Sequence, residues 1–159
     1  MRCTFIRDHM PKECEMPTVQ AILDRKGTDV ATISREDSVL SAARAMNQRR
    51  IGALVVTEGD RAVGIFTERD VLNRVVAQER FPSQTKVGEV MTAPMACCRR
   101  STPVVECREI MTQKKIRHLP VVEEGRLFGI ISIGDVLALQ SAEQAVTIEY
   151  LHEYLHGRH

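Results

Sequence analysis

Gly64-Ile65-Phe66-Thr67-Glu68-Arg69-Asp70-Val71-Leu72 and Gly129-Ile130-Ile131-Ser132-Ile133-Gly134-Asp135-Val136-Leu137 are one pattern written twice. Sliding the chain by 65 residues and comparing 30–74 with 95–139 gives 15 identities in 45 positions, without a gap. Upstream, Val19-Gln20-Ala21-Ile22-Leu23 aligns with Val87-Gly88-Glu89-Val90-Met91 after a three-residue offset in the loop. Two copies are too few for a solenoid, in which each repeat touches only its neighbours. The better reading is a single pseudo-symmetric domain.

Working outward, each unit parses alike. A short helix (18–23; 87–91) leads into a short strand (Val30 to Ile33; Ala96 to Cys98). In the first unit Asp37 or Ser38 is a good N-cap, and Val39, Ala42, Ala43 and Met46 share one helical face. In the second, Pro103 suits the first helical turn, with Val104, Cys107 and Met111 on the face. Two strands follow, Ala53–Thr57 and Ala62–Phe66, joined through Gly59-Asp60; their counterparts are His118–Val122 and Leu127–Ile131 around Glu124-Gly125. A last helix starts at Thr67 or Ser132. The predicted class is α+β: two αβαββα repeats packed as one domain, plus a C-terminal helix from about Ala142 to His156. The boundaries read 1–17 N-terminal extension, 18–76 repeat one, 77–86 polar linker, 87–140 repeat two, 141–159 helix and tail.

Composition narrows the function. The 159 residues carry 22 basic and 21 acidic side chains, a net charge of +1, which argues against a domain built to neutralise phosphates of a nucleic acid. No apolar run approaches the roughly 20 residues of a membrane helix. Met1 to Pro17 is mixed and charged, without the apolar core of a signal peptide. The five cysteines (Cys3, Cys14, Cys97, Cys98, Cys107) are odd in number and lack a C-x-x-C pair. They read as reduced thiols of a cytoplasmic protein, with a redox-linked interaction protein as the rival reading.

The block G-h-h-[ST]-x-x-D places a hydroxyl and a carboxylate three residues apart where a strand becomes a helix. One role is a capping box, Thr67 with Asp70 and Ser132 with Asp135. The other is a polyol clamp: a carboxylate accepts from both vicinal hydroxyls of a ribose, and the helix N-terminus favours a nearby anion. Recurrence in register favours the clamp, and the same residues can serve both roles.

With these residues in view, the repeat resembles the tandem cystathionine β-synthase (CBS) domain, or Bateman module, over roughly residues 18–140. The resemblance rests on Gly64, Thr67, Asp70 and Val71-Leu72, on Gly129, Ser132, Asp135 and Val136-Leu137, and on Ile116-Arg117-His118-Leu119-Pro120-Val121-Val122. The C-terminal extension is similar to that of small stand-alone bacterial members. The resemblance implies two clefts between the repeats that bind adenine nucleotides: AMP, ADP, ATP, NAD or another adenosyl compound. Cleft A would be Ile65, Thr67 and Asp70 with Met95 and Ala96; cleft B would be Ile130, Ser132 and Asp135 with Val30 and Ala31. Arg117 and His118 would meet phosphate in cleft A, with His118 conferring pH sensitivity near neutrality. Cleft B, with Gly52 and Ala53 in their place, would have at most Arg69. The doublets Arg49-Arg50, Arg99-Arg100 and Lys114-Lys115 read as solvated positions. The resemblance also implies a homodimer signalling to an unidentified protein target, with no catalysis, catalytic cofactor or resident metal.

One motif competes. His152-Glu153-Tyr154-Leu155-His156 is H-E-x-x-H on a predicted helix, the spacing with which zinc hydrolases place two ligands and a general base. Only Gly157, Arg158 and His159 follow, too few to supply a third ligand from a cleft wall. A histidine near the negative end of a terminal helix is the plainer reading.

Overall fold

The computed structural model describes residues 16–156, with side chains through 148. The N-terminal extension, apart from Met16 and Pro17, lies outside the described residues, as do Cys3 and Cys14. The elements are α1 (Val19–Lys26), β1 (Thr32–Ser34), α2 (Val39–Arg49), β2 (Ala53–Glu58), β3 (Arg61–Thr67) and α3 (Glu68–Asp70), which runs into a π-helical segment, Val71–Val76. Then come α4 (Val87–Val90), α5 (Val104–Lys114), β4 (His118–Glu123), β5 (Arg126–Ser132) and α6 (Ile133–His156). The α+β class and the two repeats are as the sequence predicts.

In the first repeat β1 runs parallel to β2 (Thr32 opposite Val55) and β2 antiparallel to β3 (Val55 opposite Ile65). In the second, β4 and β5 form the same hairpin, but the expected strand over Ala96–Cys98 shrinks to one parallel bridge, Cys98 to Val121. At its leading end the cause is one residue. Val55 N–H donates to Ala31 C=O at 3.1 Å in the first repeat. Its counterpart, 65 residues on, is Pro120, which has no N–H to donate, so the ladder starts one step later.

The core shows why two units make one domain. Val19, Ile22 and Leu23 of α1 are buried with Val104, Cys107, Leu119, Ile131 and Val136 of the second repeat. Val87 and Val90 of α4 are buried with Val39, Leu54, Val56 and Phe66 of the first. Each opening helix thus packs into the core of the other repeat. Backbone bonds fasten the exchange: Val19 N–H to Thr102 C=O at 2.9 Å, Val104 N–H to Pro17 C=O at 2.9 Å, and Val87 N–H to Asp37 C=O at 2.8 Å.

The separate C-terminal helix expected from Ala142 is instead the continuation of α6, which runs 24 residues from Ile133. After Gly134 it meets no glycine or proline before Gly157, and Leu137 to Ala145 are mostly strong helix formers. Among the described residues no helix is long and apolar enough to cross a membrane.

Candidate functional site

Both S/T-x-x-D segments form capping boxes. Thr67 N–H and Oγ1–H donate to Asp70 Oδ2, each at 2.9 Å, while Asp70 N–H returns a bond to Thr67 Oγ1 at 3.4 Å. Ser132 N–H and Oγ–H donate to Asp135 Oδ2 at 2.7 and 3.0 Å, and Asp135 N–H donates back to Ser132 Oγ at 3.2 Å. The hydroxyl fixes the carboxylate, and the helix start satisfies both.

The two carboxylates then part company. Asp70 is only 8% exposed. Its Oδ1 accepts from Thr92 Oγ1 at 3.3 Å and lies 3.5 Å from Arg74 Nε. Arg74 also donates to the carbonyls of Val90 and Met91. Ile65 and Thr92 exchange two backbone bonds, so the chain after α4 lies directly over this clamp.

Asp135 is half-buried beside an open cavity of about 790 Å³ between the repeats. That volume suits a nucleotide-sized ligand. Val30 and Ala31 of the first repeat form one wall, with Ile51, Gly52 and Ala53; Ile130, Ile131 and Ser132 of the second face them. Val30, Ala31, Ile130 and Ser132 are four of the five residues expected for cleft B, and the structure brings them together; the fifth, Asp135, is not in the lining and joins it through its bonds to Ser132 and Lys26. Lys26 crosses from α1, its Nζ donating to Asp135 Oδ2 at 2.7 Å and to Ile130 C=O at 2.9 Å. All three donors to Asp135 converge on Oδ2, and among the described residues Oδ1 makes no bond. Burial pushes the Asp135 carboxyl up, but the hydrogen bonds from Lys26 and Ser132 outweigh it and hold the group below its ordinary range.

The charge assignments need correction. His118 lines this cavity, pairing across the hairpin with Ser132, whereas the sequence reading gave it to cleft A. Lys26, Arg49 and Arg50 line it too, so cleft B is rich in cations rather than poor. The doublet Arg49-Arg50 is exposed, as expected of solvated residues, but α2 ends with Arg50 in the left-handed conformation (φ 54°), and both residues reach the cavity rim. Burial, followed by the charges of Arg117 and Lys26, pushes the His118 imidazole below its usual value. It is neutral at pH 7, and its expected pH sensitivity moves to the acid side.

The remaining candidates scatter. Arg117 is exposed. Arg69 Nη1 donates to Lys115 C=O at 2.8 Å, tying the first repeat to the end of α5. Met95 and Ala96 are half-buried in an irregular segment, with Ala96 against the second core. Cys97 is exposed, while Cys98 and Cys107 are buried. Cys98 is held protonated by its hydrogen bond to Cys107 and by burial, which makes a poor nucleophile. The HEYLH segment lies on the backbone of α6, but its side chains fall outside the described residues. No group of three metal-ligating side chains occurs among the described residues.

Sequence reasoning missed Lys26 and Asp29. A lysine in the last turn of a helix reads as a partner for that helix's own dipole. Only the exchange of α1 into the second repeat brings it to Asp135.

A family model of the CBS domain matches residues 22–77 and 87–142. The chain belongs to the CBS domain family. The CBS domain-containing protein CBSX3, mitochondrial, of Arabidopsis thaliana is 32% identical over 152 residues, spanning 90% of this chain and 74% of that protein. Among solved structures, a protein with CBS domains from Burkholderia ambifaria MC40-6, described under signal transduction, is 42% identical with a TM-score of 0.77, covering 80% of this chain and 96% of that one. A hexameric CBS-CP12 protein from bloom-forming cyanobacteria is 28% identical with a TM-score of 0.68, over 77% and 71%. CBS-domain pairs of this kind are typically regulatory or signal-transducing, and the family assignment favours that class over a hydrolase or a redox protein.

Proposed function

We propose that this CBS pair is a non-catalytic regulatory module that binds an adenine nucleotide in cleft B and passes its occupancy to a partner protein. The observation that carries the reading is the cavity of about 790 Å³ in which Ser132, hydrogen-bonded to Asp135, stands opposite Val30 and Ala31, under a rim of Lys26, Arg49, Arg50 and His118. The clamp suits a ribose diol: Asp135 Oδ1 accepts, and Ser132 offers a second polar atom. The cations suit phosphate, and the arginines take it bidentately. The apolar walls suit an adenine ring. AMP, ADP, ATP, NAD and other adenosyl compounds share these parts.

The same reading makes the chain a cytoplasmic homodimer in which the fit of the two repeats, or of two copies, changes with the ligand. Supporting it, Leu72 and Val76 on the π segment and Leu137, Val146 and Ile148 on α6 are large apolar side chains left in water. Titration calorimetry of ligand-free protein with AMP, ATP and NAD tests the nucleotide. At least one binds with micromolar or better affinity if the reading holds; no heat from any of them at millimolar concentration overturns it.

A further inference from the structure

Lys26 sits where a nucleoside should. Its ammonium bonds the Ile130 carbonyl and Asp135 Oδ2, the carboxylate oxygen beside the Oδ1 that the nucleotide reading gives to the ribose. It reaches them from the last turn of α1, a helix seated in the core of the second repeat, so its backbone is fixed while its four-carbon stem is free to swing. The side chain keeps 32% of its surface exposed and lines the cavity.

A ribose diol that bonds both oxygens of Asp135 requires this ammonium to let go. A released ammonium then faces Arg49, Arg50 and His118 across the cavity, and the acid left in the lining is Asp29, which is exposed. An exposed ion pair recovers little of what a partly buried one loses. A neutral nucleoside supplies hydroxyls to Asp135 but nothing anionic to the lysine. A phosphorylated one supplies both. We propose that Lys26 is the specificity residue of cleft B: it guards the ribose clamp against uncharged nucleosides and yields it to ligands whose phosphate gives the ammonium a new anionic partner. The inference rests on the nucleotide reading above.

Calorimetry with AMP and adenosine on wild type, Lys26→Met and Lys26→Arg tests it, with Asp135→Asn used to assign which binding event belongs to cleft B. Wild type prefers AMP. In Lys26→Met adenosine tightens and AMP weakens, so the preference falls by about ten- to a hundredfold, the worth of a charge-assisted contact. Lys26→Arg keeps most of it. Lys26→Gln serves as the second uncharged variant if a melting scan shows that Lys26→Met does not fold. If wild type binds AMP at cleft B and the uncharged variants keep the wild-type preference, the role of Lys26 is wrong and the nucleotide reading stands. If wild type binds neither ligand, the role of Lys26 is wrong, and if ATP and NAD give no heat either, the nucleotide reading falls with it.

Discussion

Asp70 and Asp135 occupy equivalent positions, yet the structure gives them different work. Asp70 is buried and answered on both oxygens by Thr67, Thr92 and Arg74. Asp70→Asn leaves the charge of Arg74 without its partner, and the expected result is a loss of about 1–3 kcal/mol in urea unfolding. Asp135→Asn should instead act on ligand, weakening AMP at cleft B by about ten- to a hundredfold in calorimetry. His118 gives a pH signature of its own. Because its folded value is depressed, its neutral form is part of the fold. Above about 6.5, the ordinary histidine value, folded and unfolded chains are both neutral there and the contribution is complete. As the pH falls through that value the unfolded chain takes up the proton first, and stability is lost until the folded value is passed. The melting temperature should drop between pH 7.5 and 5.5 in wild type and drop less in His118→Gln. The carboxyls held low, Asp135 among them, lose their share only at more acid pH, so the two windows separate.

At the scale of elements, the two conserved-register glycines test the exchange of opening helices. A methyl group on Gly64 would lie 2.7 Å from Met91 Sδ and 2.9 Å from the Thr92 carbonyl, whereas one on Gly129 would lie 2.6 Å from Leu23 Cδ2 alone. A leucine tip can rotate; a backbone carbonyl already bonded to Ile65 cannot. Gly64→Ala should therefore destabilise by about 1–3 kcal/mol and Gly129→Ala by less, read from paired denaturant curves. Much of this level was legible beforehand. The hairpins followed from their turn residues, and the repeated Arg35 and Arg100 prove to pair with the repeated Glu58 and Glu123. What escaped had a tertiary cause. The late start of the ladder at Ala96–Cys98 depends on a missing N–H in a different strand, at Pro120. The cation content of cleft B depends on α1 crossing to the other repeat, which no local pattern encodes. The clamps were visible because hydroxyl and carboxylate lie three residues apart; Lys26 and Asp135 lie more than a hundred apart.

For the whole molecule, the apolar side chains on the π segment and α6 set the expectation for assembly. Leu72 and Leu137 are equivalent under the repeat and are 60% and 52% exposed. Light scattering at tens of micromolar should give a mass at least twice the 17.9 kDa of one chain, and Leu72→Asp with Leu137→Asp should return it to one. A wild-type mass near a single chain would overturn the dimer. The exchanged opening helices carry a different consequence. The linker 77–86 joins two stretches of chain, each of which holds a helix that completes the core of the other. Val19, Ile22 and Leu23 have no apolar bed within residues 16–76, and Val87 and Val90 have little within 87–156. A protease nick in the linker should thus be survivable, whereas separation of the pieces should not. Two polypeptides ending and starting at the nick, each unfolded when alone, would regain structure on mixing, so the molecule behaves as a built-in fragment-complementation pair that happens to be covalently joined.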